Sequence, residues 1–207
     1  MAKKKNKSVS EESMKEAFMS VRANIQLQYP EARIIAFTSF KSQSGTTKVA
    51  VETAQALASA GEQVVVVEAD LRVSGLGTYM GKEKTGKGLA DYIEGKASYS
   101  EIKNKLNENV DVIYAGVAKE CARPYLGSSK MEEILGQLRE DYDYVCVDTP
   151  SLELCYDGVE VASMCDGTIV VVDYKKVPME IAKKGTEQLH RSGCQVLGTV
   201  MNKVPVV

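Results

Sequence analysis

The residues best placed to do chemistry form a short polar loop after an apolar run. The run IIAFTS ends at Ser39, and the segment KSQSGTT then precedes a pattern with helical spacing. A strand, a glycine-containing loop and a helix make the layout of a P-loop, in which backbone N–H groups and the positive helix end hold phosphates. Thr46 stands where the phosphate-binding lysine of G-x-x-x-x-G-K-[ST] belongs. We predict that phosphate is contacted by Gln43, Ser44, Gly45, Thr46 and Thr47.

Carboxylates follow two further apolar runs. The run QVVVVEA is typical of a strand buried on both faces of a parallel sheet, and it leads into Glu68 and Asp70. The run YDYVCV is closed by Asp148. Such side chains point into the crevice where α/β proteins bind ligands. In a phosphoryl-transfer site, a strand-end Asp holds Mg²⁺ and another carboxylate can take the proton of an attacking hydroxyl.

These positions define the predicted chemistry. We expect the metal ligands among Thr47, Glu68, Asp70 and Asp148, with Asp70 and Asp148 as the catalytic carboxylates. A strand-end Asp alone is often only a turn or a helix cap. The prediction therefore depends on the loop and the two carboxylate positions occurring together.

The elements that must position these residues alternate between strand and helix. An N-terminal amphipathic helix is predicted over about residues 11–28, because apolar residues recur at helical spacing and a Tyr-Pro pair follows. The other expected strands cover 33–38, 110–115, 142–147, 167–173 and 194–202, and other expected helices include 89–93, 99–106 and 179–191. The pattern predicts one domain over 1–207, with a three-layer, doubly wound, mainly parallel α/β sheet of the P-loop NTPase type.

Composition narrows the function classes. The 207 residues carry a formal net charge of -2, which gives no support to nucleic-acid binding. The five cysteines are widely spaced and lack C-x-x-C spacing, so we expect reduced core thiols rather than a metal site. No apolar run is long enough to span a bilayer. The basic N-terminus MAKKKNK lacks the apolar segment of a signal peptide.

Taken in order, the motifs resemble those of the bacterial tyrosine kinases of capsule and exopolysaccharide export. This P-loop family is related to the cell-division and chromosome-partitioning ATPases. The resemblance covers nearly the whole chain. The matching segments are 16–25 (EAFMSVRANI), the loop at 41–47, 68–72 (EADLR), 142–150 (YDYVCVDTP), 166–167 (DG) and 198–202 (GTVMN).

The resemblance implies a cofactor, a reaction and a partner. The cofactor is ATP or ADP with Mg²⁺, and the reaction is transfer of the γ-phosphoryl group to a protein tyrosine. Asn202 and Lys41 join the cofactor-binding residues; Lys41 occupies the position of the extra lysine of the partitioning ATPases. The implied partner is the cytoplasmic segment of a membrane polysaccharide co-polymerase, with self-association also possible. The protein would be cytoplasmic and peripheral at the inner face of a bacterial membrane.

The departures from the family pattern concern binding, catalysis and assembly. Thr46 replaces the lysine, Gln43 replaces a glycine, and Glu68 replaces an aspartate. Met19 replaces the middle arginine of the assembly motif E-x-x-R-x-x-R. The C-terminal tyrosine cluster of the family is absent from this sequence. Lys48 cannot substitute for the lysine, since two helical residues rotate it roughly 200° from position 46.

Three functions follow as alternatives. The first is a catalytically weakened, pseudokinase-like regulator that still binds the nucleotide. The second is an active ATP-dependent tyrosine autokinase, for which Tyr92, Tyr99 and Tyr125 are candidate targets. The third is a partitioning-type ATPase with a deviant P-loop. Losing one charge-assisted hydrogen bond costs about 1.5–3 kcal/mol, or roughly ten- to a hundred-fold in affinity. Such a loss weakens nucleotide binding without abolishing it, which favours the first alternative.

Overall fold

The computed structural model describes residues 11–72, 74–81, 86–117, 119, 121–153, 156–174 and 176–205. Its strands are β1 (Ile34–Ser39), β2 (Val64–Glu68), β3 (Lys103–Lys105), β4 (Val110–Ile113), β5 (Tyr144–Asp148), β6 (Gly167–Asp173) and β7 (Val196–Asn202). Its helices are α1 (Glu11–Gln28), α2 (Thr46–Ala58), α3 (Gly75–Tyr79), α4 (Leu89–Ile93), α5 (Tyr99–Ile102), α6 (Arg123–Leu126), α7 (Ser129–Asp141), α8 (Asp157–Ser163) and α9 (Met179–Arg191).

The strands form one sheet in the order β3-β4-β2-β5-β1-β6-β7. Every described pair of neighbours is parallel except β3 and β4, which are antiparallel. This arrangement confirms the predicted mainly parallel α/β class. The order also places β1, the strand before the polar loop, between β5 and β6. The carboxyl ends of β1, β2 and β5 therefore meet at one edge of the sheet.

The centre of the sheet is buried because its strands are apolar on both faces. The valines of β2 are fully buried, and burying one such side chain stabilises the fold by about 1.5–3 kcal/mol. Val64 and Val66 pack with residues of α1 and α2, whereas Val65 and Val67 pack with residues of α7. Helices therefore cover both faces, which makes the three layers.

Helix α1 lies on α2 and ends at Gln28, where the following Tyr-Pro pair predicted its end. Phe18 and Ile25, two turns apart, are buried against the core. The Arg22 guanidinium donates hydrogen bonds of 3.2 Å to the Ala56 carbonyl and the Ser59 hydroxyl, near the end of α2. In the described part of the chain, no helix is both long enough and apolar enough to cross a membrane.

The structure corrects two sequence predictions. The helix expected over 99–106 ends at Ile102, and Lys103–Lys105 instead pairs antiparallel with β4 as a three-residue edge strand. The core-thiol expectation holds for Cys146 and Cys194, but Cys165 is only partly buried and Cys121 is exposed. Cys155 and the basic N-terminal segment lie outside the described residues.

Candidate phosphate-binding site

The polar loop and the two aspartates line one cavity. Its volume is about 380 Å³, and it opens at the carboxyl edge of the sheet. The register of the strands explains why the loop and the aspartates lie close together, since Phe37 on β1 and Glu68 on β2 both pair with Asp148 on β5. The Thr47 hydroxyl interacts with the Asp148 carboxyl group and lowers its pKa. The described lining residues are Ser39, Ser42, Gln43, Ser44, Gly45, Thr46, Thr47, Asp70, Gly75, Asp148, Thr149, Pro150 and Ser151.

The loop has the backbone geometry of an anion-binding turn. Gly45 lies at φ 90°, and Gln43, which is not glycine, lies at φ 59°. The hydroxyls of Ser39 and Ser44 donate to the Lys41 carbonyl at 2.8 and 2.7 Å and tie the turn together. The backbone N–H groups from Ser44 to Thr47 donate to no acceptor in the described part of the chain. They remain available at the positive end of α2.

The carboxyl group of Asp148 has unusual electrostatics. Burial raises the pKa of Asp148 to about 8, because its charged form is poorly solvated there. The interaction with Thr47 opposes this shift, and the carboxylates of Glu68 and Asp70 add to it. A cation placed among these groups would favour the ionised form.

The donor set fits Mg²⁺ bound together with phosphate. The described residues contain no group of three or more His, Cys, Asp or Glu side chains arranged to hold a metal by themselves. Mg²⁺ usually binds through one or two carboxylates, substrate phosphates and water, so it does not need such a group. The Thr47 hydroxyl with Asp148, and Asp70 across the same cavity, supply that smaller set.

Glu68 does not join the cavity as the sequence suggested. Its carboxylate accepts hydrogen bonds from the backbone N–H groups of Leu76 at 2.7 Å and Ala115 at 2.9 Å, and from the Ser74 hydroxyl at 3.3 Å. The side chain is fully buried and is not among the lining residues. Its geometry supports ordering of the segment after β2 rather than the predicted metal ligation.

Lys41 and Asn202 also lie outside the cavity lining. Lys41 takes part in the loop through its carbonyl oxygen rather than its ammonium group. Asn202 holds the loop from the outside, since its Nδ2 donates to the Ser44 carbonyl at 2.9 Å. A Cβ atom at Gly45 would overlap that amide nitrogen, which explains the glycine there. Neither geometry tests the predicted contact with a nucleotide.

The cavity combines negative charge with hydroxyl groups. Its described lining includes two aspartates and no Lys or Arg. Sequence reasoning missed Ser151, a residue of this lining that is only 5% exposed and whose buried hydroxyl has no hydrogen-bond partner among the described residues. A serine after Asp-Thr-Pro carries no distinctive local pattern, so only the tertiary structure could find it.

Each candidate target tyrosine pairs with a carboxylate. The hydroxyls of Tyr92, Tyr99 and Tyr125 donate to Glu133, Asp141 and Glu94 at 3.1, 2.7 and 2.8 Å. A phosphate at any of these hydroxyls would face a like charge. Their modification stays a prediction.

Comparison with known proteins agrees with this architecture. A family model described as an AAA domain matches residues 32–203. The tyrosine-protein kinase CpsD of Streptococcus agalactiae is 30% identical over 190 residues, which cover 91% of this chain and 83% of that protein.

Two solved structures share the fold. The crystal structure of the chimerical protein CapA2B2 matches with a TM-score of 0.88 at 24% identity, over 95% of this chain and 87% of that one. The septum site-determining protein MinD of Pyrococcus horikoshii, complexed with Mg-ADP, matches with a TM-score of 0.70 at 24% identity, over 82% and 69%. The chain therefore belongs to the AAA-domain P-loop family and is a homologue of the bacterial tyrosine kinases represented by CpsD.

Proposed function

We propose that this chain is a tyrosine-kinase-like regulator of capsule or exopolysaccharide biosynthesis. It binds ADP or ATP with Mg²⁺ weakly and transfers phosphoryl groups slowly. The observation that carries the proposal is the cavity lining, which keeps the phosphate loop and both aspartates but includes no Lys or Arg among its described residues. Homology to CpsD supports the pathway, and Thr46 in the lining supports the weakened chemistry.

Several groups can still hold a nucleotide. The N–H groups from Ser44 to Thr47 and the positive end of α2 face a phosphate without help from any side-chain charge. The Thr47 hydroxyl, Asp148 and Asp70 would hold Mg²⁺, which when bound neutralises negative charge on the phosphates. Binding therefore persists in this proposal.

Catalysis suffers more than binding. Thr46 supplies a neutral hydroxyl at a position where a cation would stabilise the negative charge that develops in the transition state. Losing one group that stabilises such charge costs on the order of 10²–10³ in rate. The corresponding loss in affinity is roughly ten- to a hundred-fold. The protein would then act mainly through its fold and surfaces.

Restoring the lysine tests the proposal. Thr46→Lys is expected to tighten MgADP binding at least about ten-fold by calorimetry. It is also expected to raise self-labelling from γ-labelled ATP about a hundred-fold. Thr46→Val, which removes the hydroxyl without adding charge, is the matched control and should show neither gain.

The opposite result identifies the active-kinase alternative. If the natural chain labels itself at the rate of Thr46→Lys, the weakened-enzyme proposal is wrong. Lys41→Ala then decides whether the loop lysine has taken over, because it would abolish that labelling. The partitioning-type alternative is less favoured, since MinD is a more distant structural match than CapA2B2.

The proposed partner is the cytoplasmic segment of a membrane polysaccharide co-polymerase. Binding to it would place the chain at the inner face of the membrane. Homology to CpsD and the structural match to CapA2B2 support this assignment. Co-purification with that segment, and its absence with an unrelated cytoplasmic segment, is the expected outcome; equal recovery with both contradicts it.

A further inference from the structure

The end of β7 holds the phosphate loop from outside the cavity. Asn202 Nδ2 donates to the Ser44 carbonyl at 2.9 Å, and Lys203 Nζ donates to the Gln43 carbonyl at 2.6 Å. The Lys203 backbone N–H donates to Asn202 Oδ1 at 2.9 Å, so the two residues also hold each other. We call Asn202 and Lys203 the strand-end pair.

A buried carboxylate fixes the ammonium of the strand-end pair. Asp173 is the last residue of β6, its side chain is 4% exposed, and its Oδ2 lies 2.9 Å from Lys203 Nζ. The Tyr174 N–H donates to the Asn202 carbonyl at 3.1 Å, which continues the contact between the two strands. A buried carboxylate is stable only with charge partners and hydrogen bonds, so Asp173 and Lys203 constrain each other.

Because the peptide bond is planar, anchoring these carbonyl groups also fixes the direction of the N–H groups that follow them. The described part of the chain has no cis peptide bond, so each carbonyl and the following N–H point in opposite directions. Anchoring the carbonyls of Gln43 and Ser44 toward β7 turns the N–H groups of Ser44 and Gly45 away from β7. Both of these residues line the cavity, and neither N–H donates to a described acceptor. Such successive N–H groups form the nests that bind phosphate.

The same contact accounts for the unusual conformation of Gln43. A side chain at φ 59° is disfavoured, and it persists only when surrounding structure holds it. The hydrogen bond from Lys203 to the Gln43 carbonyl is one described contact that helps to hold it here. A glycine would adopt the same φ without this help.

We infer that Asn202 and Lys203 are positioning residues for the phosphate loop. With Lys203 fixed by Asp173, the strand-end pair keeps the N–H groups of Ser44 and Gly45 turned toward bound phosphate. It thereby offsets part of the affinity lost through Thr46. The inference rests on the proposed function, in which the cavity binds a nucleotide phosphate.

Removing the ammonium of Lys203 is the first test. Lys203→Met keeps most of the apolar stem and is expected to weaken MgADP binding about ten-fold by calorimetry. Lys176→Met is the matched control, because Lys176 Nζ also faces Asp173, at 3.9 Å, but no contact between it and the loop is found among the described residues. The control is expected to bind MgADP as the natural chain does.

A second substitution separates positioning from charge. Gln43→Gly in the Lys203→Met background is expected to recover most of the lost affinity, because glycine takes the positive φ unaided. If Lys203 acted only through its charge or through overall stability, glycine would restore nothing. Failure of this recovery, or unchanged affinity in Lys203→Met, overturns the inference.

A measurement without nucleotide keeps the two proposals apart. In ¹H–¹⁵N spectra of the free protein, the amide signals of Ser44 and Gly45 should shift or broaden in Lys203→Met and stay in place in Lys176→Met. If the natural chain binds no MgADP, the proposed function fails, but these spectra still decide the positioning. Unchanged Ser44 and Gly45 signals in Lys203→Met overturn it.

Discussion

Among single residues, Ser151 offers the sharpest test of whether the cavity is built for a ligand. The hydroxyls of Ser39, Ser44 and Thr149 are already donated to backbone carbonyls, whereas that of Ser151 is buried and has no partner in the described part of the chain. A buried polar group without a partner lowers stability by about 1–3 kcal/mol. A phosphate oxygen or bound water in the cavity would supply the missing partner.

Ser151→Ala should therefore move stability and binding in opposite directions. We expect the free energy of unfolding to rise slightly, because the unpaired hydroxyl is removed, while MgADP affinity falls about three- to ten-fold. Urea unfolding and calorimetry measure the two quantities. Thr168→Val is the matched control, since the Thr168 hydroxyl is also buried and has no partner among the residues that the structure describes, but Thr168 lies outside the cavity lining. Ser151→Ala that binds MgADP like the Thr168→Val control would show that the hydroxyl faces no ligand.

Among the elements, the start of β1 depends on a carboxylate from the turn before β6. Asp166 accepts hydrogen bonds from the backbone N–H groups of Arg33 at 2.9 Å and Ile34 at 2.8 Å, and pairs with Arg139 of α7. Burial alone would raise the pKa of Asp166, but Arg139 and these N–H groups outweigh it and hold the pKa below its ordinary value. Ionised Asp166 thus stabilises the folded protein.

The sign of this shift predicts an acid-dependent loss of stability. Because the folded-state pKa is lowered, the contribution is present above the unfolded-state pKa of about 3.9 and is lost as pH falls through the folded value. Asp166→Asn should lower the free energy of unfolding by about 1–2 kcal/mol at pH 7, and the difference should shrink toward pH 3. Urea titrations across that range measure it.

An exposed ion pair provides the control for Asp166. Glu187→Gln breaks the contact with Arg191, whose side chain is 82% exposed, and should cost less than about 0.5 kcal/mol. A difference between Asp166→Asn and the natural chain that stayed constant from pH 7 to pH 3 would show that charge at Asp166 is not the cause.

Patterns local to the sequence predicted much of the fold. The four consecutive valines of β2 indicated a strand buried on both faces, and the structure confirms it. Lys103–Lys105 was missed because a three-residue strand of polar residues shows no alternation and directly continues a helical pattern. This segment forms a strand only because it pairs with β4, and no local sequence pattern reveals that pairing.

In the candidate site, too, some features were predictable from the sequence and others were not. The glycine at 45 and the aspartates at 70 and 148 follow apolar runs, so their convergence at one sheet edge was predictable. The hydrogen bonds of Glu68 come from Leu76 and Ala115, and the contact of Lys203 crosses to a loop far away in sequence. Such contacts are decided by strand order, which residue spacing does not encode.

For the molecule as a whole, the surface of α1 bears on assembly. Met19 is 47% exposed, in the position where the family motif has an arginine. Arg22, the last residue of that motif, is turned toward the end of α2 rather than outward. Helix α1 therefore lacks the middle arginine of the assembly motif. The arginine that remains, Arg22, makes its hydrogen bonds within the same chain.

We expect monomers or small assemblies in solution. Met19→Arg restores the motif charge and should shift the molar mass measured by light scattering toward larger assemblies. Leu27→Arg adds the same charge at a residue of α1 that is 82% exposed and lies outside the motif, and it should leave the mass unchanged. Stable rings formed by the natural chain would contradict the expectation.

Strand β7 is an edge strand of the sheet, and this position affects how the protein would release a bound nucleotide. In the described sheet β7 is paired on one side only, with β6. Rim strands open at a lower free-energy cost than central ones, so mild heat or denaturant would detach β7 while β1, β2 and β5 remain intact. Under our inference the phosphate loop would then relax, and nucleotide would leave a molecule that is still mostly folded.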